Sequence, residues 1–148
     1  MALSAHGIRL DVPPGWEGRI YRRPDVGAEP VMHTASIPLI PGDGDFATAT
    51  AAQLPIDGAL VVLCEYDQAL AGAGMFDHRP PRALDPAEAS PNHLLRRIPG
   101  LAGYQRFFSE SGRAFGLYVV VGSHVQSGAA VLPRINGVLG SLAISARS

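Results

Sequence analysis

At 148 residues, with 47% apolar and 17% charged side chains, the chain has the size and composition of a domain that can bury its own core, and a disordered polar chain is excluded. A formal net charge of −1 leaves no global basic field, so phosphate-driven binding of nucleic acid is not expected; the adjacent basic pairs Arg22-Arg23 and Arg96-Arg97 read as solvated or ion-paired surface. All twelve basic residues are arginine, which excludes lysine Schiff-base chemistry, a P-loop lysine and a kinase-type strand lysine.

Met1 to Gly7 carries no basic start followed by an apolar run of signal-peptide length, and the expectation is a cytoplasmic protein. Ile8 to Val12 alternates apolar and polar residues as a half-buried strand does, and Pro13-Pro14-Gly15 ends it. Trp16 to Tyr21 alternates again, so the two runs are expected to form a hairpin. Val31 to Ile37 predicts a third strand, and Asp43 or Asp45 can cap a short helix over Phe46 to Leu54, which Pro55 and Gly58 stop. Leu60 to Leu63, within the apolar run Ala59 to Cys64, predicts a strand covered on both faces or central in the sheet.

From Tyr66 to His93 alanine, glycine, proline and charge dominate without a sustained period, which predicts a long flexible loop. Leu94 to Ile98 can add a short strand. Gly103 to Ser109 and Arg113 to Gly122 then form the clearest hairpin, turning at Glu110-Ser111-Gly112, where glycine permits a positive φ. Leu132, Ile135, Leu139 and Leu142 fall on one helical stripe, and Pro133, tolerable only in a first turn, starts that helix near Val131 or Leu132. Gly137 and Gly140 inside it suggest close backbone packing, and Leu142 to Ser145 closes the chain as a strand. Apolar runs such as Leu117 to Val121 are far too short to span a bilayer, so no membrane insertion is expected. The whole chain therefore reads as one α+β domain, a mostly antiparallel sheet flanked by a few helices.

The Pro13 to Trp16 turn after the first strand, the late aromatic hairpin, and the closing Val138-Leu139-Gly140-Ser141-Leu142 together resemble the Mog1/PsbP superfamily. That resemblance implies an antiparallel sheet sandwiched between helices (α/β/α) and a role as a binding or assembly factor.

Candidates for chemistry are sparse. His6, His33, His78, His93 and His124 show no ligand spacing, Asp43-Gly44-Asp45 lacks the remaining ligands of a calcium loop, and no Gly-x-Ser-x-Gly elbow occurs. Cys64 is the only cysteine and ends the most apolar strand, where it acts as a small hydrophobe. No metal, organic cofactor or catalytic residue is expected. Trp16 can pack under a hairpin edge or stack a ligand. Met75-Phe76, set among Gly72, Gly74, Asp77, His78 and Arg79, can be a core plug or an exposed anchor with a polar rim. The expected function is that of a non-catalytic accessory or adaptor protein binding a partner protein through Met75, Phe76, His78, Arg79 and Trp16. A subunit of a larger assembly and an enzyme whose residues converge only in three dimensions stand as alternatives.

Overall fold

The computed structural model describes residues 1–23, 29–90, 93–94, 100–122 and 131–147. Arg96-Arg97, His124 and all but the first residue of the expected strand at 94–98 lie outside them. The architecture is α+β, with two antiparallel sheets. Strands β1 (Ala2–Ala5), β2 (Ile8–Asp11) and β8 (Ala143–Ile144) form the smaller, in the order β1-β2-β8. The larger contains β3 (Glu17–Arg22), β4 (Pro30–Ala35), β5 (Ala59–Tyr66), β6 (Ala102–Glu110) and β7 (Arg113–Val121), in the order β3-β4-β5-β7-β6. The helices are α1 (Thr48–Ala51) and α2 (Leu132–Ser141).

Position in the sheet explains each strand's composition. β7 lies between β5 and β6 and is buried at every residue, and β5 is buried from Ala59 through Glu65, so both read as continuous apolar runs. Their alternate residues build two cores. Val61, Leu63, Phe115, Leu117 and Val119 join Ile8 and Leu10 of β2 and Leu132, Ile135, Val138 and Leu139 of α2. Leu60, Val62, Tyr118 and Val120 have the opposite parity and join Val31 and Ala51 in a second cluster.

Ile8 to Val12 and Trp16 to Tyr21 do not pair as a hairpin. β2 instead pairs with β1, with Ala5 opposite Ile8, while β3 pairs with β4 in the larger sheet. The reason lies in the turns. His6 and Gly7 both take positive φ (52° and 78°), as a two-residue turn matched to strand twist requires, whereas Pro13-Pro14-Gly15 carries the chain from one sheet to the other. The late hairpin is as expected, and Ser111 and Gly112 provide the same pair of positive φ values, 53° and 74°.

α1 is a single turn rather than a helix over Phe46 to Leu54. Ala47 is left-handed (φ 50°), which bars helical entry from Phe46, and i to i+3 bonds from Gln53 and Leu54 tighten the exit. Asp43 does cap it, accepting from the amides of Ala49 and Thr50 and from the Thr50 hydroxyl. Burial opposes its charge, but these bonds outweigh that and hold the carboxyl below its usual range.

α2 begins where Pro133 requires and buries its stripe, yet its glycines answer to nothing. A Cβ at Gly137 or Gly140 would meet no atom within 4 Å, so close packing does not account for them. The segment after β5 is also more regular than a flexible loop. It contains one-turn 3-10 helices at Gln68–Leu70, Gly74–Phe76 and Pro86–Glu88, the first and third capped by Asp67 and Asp85, and Ser90 bridges to Gly103 of β6. No helix among the described residues is long and apolar enough to cross a membrane.

Candidate functional site: a groove on the edge of β6

β6 is an edge strand, so every second residue turns its backbone N–H and C=O away from β7. The outward set is identified by its partners. Gly103 exchanges both backbone bonds with Ser90 at 2.9 Å, and the Ser109 amide donates to the His78 carbonyl at 2.9 Å. The β6–β7 register runs without a bulge from Ala102 to Glu110, so Gln105 and Phe107 face outward too. The Gln105 carbonyl accepts from the Arg106 guanidinium at 2.9 Å. The amides of Gln105 and Phe107 and the Phe107 carbonyl have no partner beyond the edge among the described residues.

These positions line a groove of about 540 Å3 together with Met75, His78, Arg79, Pro81 and Glu88. Ser109 seats the overlying segment, because its hydroxyl donates to the Phe76 carbonyl at 2.7 Å and accepts from the Gly72 amide at 2.8 Å. The Phe76 ring lies 5.5 Å from both Tyr66 and Phe107, centroid to centroid, and is only 6% exposed. Met75 is 58% exposed. The pair therefore divides: Phe76 is the plug that fastens the segment, and Met75 is the presented apolar group. The chain then leaves the edge at Arg79-Pro80-Pro81, where two residues lack the amide needed to continue a ladder. Arg106 pairs with Glu88 across the groove, whereas Arg79 is exposed and makes no ion pair among the described residues.

Of the residues singled out in the sequence, Met75, His78 and Arg79 thus meet at one surface with Phe76 beneath it. Trp16 does not join them. It is 8% exposed within the α2-side core, and its indole N–H has no hydrogen-bond partner among the described residues. Sequence reasoning missed Gln105, Arg106, Phe107 and Glu88; the signal available was Pro80-Pro81, which keeps the chain's own next segment off an edge already marked by alternation.

A second constellation centres on Asp45, at the β3–β4–β5 end of the larger sheet. The His33 Nδ1 accepts from Arg19 Nε at 3.0 Å, so Nε2 carries the proton and donates to the Asp45 carbonyl at 2.7 Å. Tyr21 donates to the Asp45 carboxylate at 3.0 Å, and Arg23 lies 3.0 Å from its other oxygen. Burial, with Arg19 nearby, lowers the pKa of His33; burial and the bond to Asp45 push the Tyr21 phenol up to about 12, and burial pushes the Cys64 thiol up to about 11. An imidazole with both nitrogens engaged and a protonated, buried thiol brace a structure rather than activate a nucleophile.

Glu65 is a third polar centre and is fully buried. Arg113, 2% exposed, donates to it from Nε at 3.1 Å and Nη2 at 2.7 Å, and Arg147 adds bonds at 3.1 and 2.8 Å. Two further Arg113 N–H groups donate to the carbonyls of His6 and Ser145, which ties the β1–β2 turn and the end of β8 to the main sheet. No group of three or more His, Cys, Asp or Glu side chains suited to a metal ion occurs among the described residues. The chain matches no protein-family model, no curated protein and no solved structure.

Proposed function

We propose that this chain is a non-catalytic accessory module, acting in the cytoplasm, that docks a partner protein on the β6-edge groove. The observation that carries the reading is the convergence of an exposed methionine, an unpaired arginine and open backbone groups on one surface, fastened from beneath by Phe76 and Ser109. An apolar centre with a polar rim is the anatomy of a small recognition patch. The groove's lining includes no hydroxyl or thiol nucleophile and one histidine, and its one carboxylate is tied to Arg106. A Mog1/PsbP-like sandwich is part of the same proposal, supported by α1 and α2 belonging to clusters on opposite sides of β5 and β7. The lone buried thiol of Cys64 is compatible with a reducing compartment.

The test is crosslinked capture from the native host, comparing the parent with a Met75→Ala, Arg79→Glu double variant. Both positions are exposed, so the variant should melt within a few degrees of the parent while losing the captured protein. Undiminished capture by a folded variant overturns the docking site.

A further inference from the structure

The open groups on β6 specify how a partner binds, an inference that rests on the docking reading above. We infer that the groove takes an extended peptide segment of the partner, added as a further strand on β6, with an apolar residue opposite Phe107 and a carboxylate against Arg79.

Three observations converge on a strand rather than a helix or a globular surface. The groups without a partner among the described residues are backbone groups at a spacing of two residues, Gln105 N–H, Phe107 N–H and Phe107 C=O, which is the repeat of a strand and of no other element. In the antiparallel sense of every ladder described here, one guest residue would exchange two bonds with Phe107, and the guest residue two further on would accept from Gln105. The open stretch is also bounded. Ser90 occupies the edge at Gly103 and His78 at Ser109, which leaves residues 104–108 of β6, roughly 16 Å at about 3.3 Å per residue, for a short segment and prevents indefinite sheet growth. Finally, the chain's own next segment cannot fill the gap, because Pro80 and Pro81 follow His78 and offer no amide hydrogen.

Side-chain chemistry narrows the guest. Paired residues on neighbouring strands share a face, so the guest residue opposite Phe107 meets that ring. Arg106 is neutralised by Glu88, whereas Arg79 is the exposed cation without an ion pair in the lining, so the guest's complementary charge is negative. A carboxylate suits a guanidinium fork, which donates two parallel bonds to it.

A phage-displayed library of random heptapeptides, selected on the immobilised full chain, tests the inference. Retained peptides should pair an apolar residue with Asp or Glu, and their binding should fall roughly tenfold on Gln105→Pro and on Arg79→Glu. Gln105→Pro removes an outward amide from an edge strand, a place where proline is tolerated. On binding, the Gln105 and Phe107 amides should become protected from hydrogen exchange. Methylating the peptide's own amide nitrogens on the β6 side should abolish binding with the protein unchanged, so the test survives any unfolding of the proline variant. Peptides weakened by Arg79→Glu but indifferent to both Gln105→Pro and N-methylation would overturn strand addition while leaving the groove as a docking site. No retained peptide, or none weakened by any of these changes, would overturn strand addition, and undiminished capture by the Met75→Ala, Arg79→Glu variant would separately remove the groove.

Discussion

Two charged regions of this molecule use arginine in opposite ways. At Glu65 the carboxylate is wholly buried, two arginines share it, and two further Arg113 N–H groups donate to carbonyls near opposite ends of the chain. At the β6 edge, Arg106 is paired, but Arg79 makes no ion pair and three backbone groups have no partner among the described residues. A buried carboxylate whose hydrogen bonds all come from within the chain has little to offer a partner and works as a clamp. Groups left open beside an exposed apolar side chain carry the capacity to bind. The comparison predicts that changes at the clamp cost stability, and that changes to the exposed groups presented at the groove cost binding alone.

The largest effect should come from Glu65→Ala. Removing the carboxylate leaves Arg113 buried and unpaired, at a cost of about 3–5 kcal/mol, a large share of the stability of a domain this size. Denaturant unfolding measures it, and a loss below about 1 kcal/mol would mean that the clamp is not where the termini are held. Within the groove the two adjacent apolar residues should part company. Phe76→Ala should cost about 3 kcal/mol because it empties the space between Tyr66 and Phe107, whereas Met75→Ala should stay within about 0.5 kcal/mol. Similar melting temperatures for the two variants would erase the distinction between plug and presented group.

The Asp45 constellation adds a pH dependence. Burial, aided by Arg19, holds His33 below its ordinary value of 6.5. Between that depressed value and 6.5 the unfolded chain binds a proton that the native state does not, so the stabilisation is complete above the unfolded value and declines as pH falls below it. Thermal melts between about pH 7.5 and about pH 5.5 should show the decline in the parent and a flatter profile in His33→Gln. The smallest effect runs the other way. With open space at both glycines of α2, Gly140→Ala should stabilise the protein by about 0.5–1 kcal/mol, and Gly137→Ala by a similar amount. A loss at either position would reveal a contact that the structure does not contain.

What could be read directly from the residues was what neighbours along the chain enforce. The 102–121 hairpin was legible because its strands alternate and its turn residues adopt positive φ, and α2 was legible because Pro133 starts it and an apolar stripe at helical spacing runs through it. The β1–β2 turn was missed although His6-Gly7 carries the same local signal, because β1 is short and weakly apolar. Between Tyr66 and His93 no period exists, so nothing in the order of residues distinguished Phe76, turned inward against Tyr66 and Phe107, from Met75 beside it.

Other features belong to the tertiary structure alone. Glu65 and Arg113 are separated by 48 positions, and the Arg113 contact with His6 spans 107, so a clamp between them has no local signature. The same holds for the groove. Gln105 and Phe107 are ordinary members of an alternating strand until the order of the sheet makes β6 an edge and the prolines after His78 leave that edge open. The sequence by itself determined which segments could be strands or helices, because backbone sterics and side-chain periodicity act over a few residues. Which strand became an edge, which charge was buried and which apolar residue faced solvent were decided only when distant segments met, because burial and pairing are properties of the assembled chain.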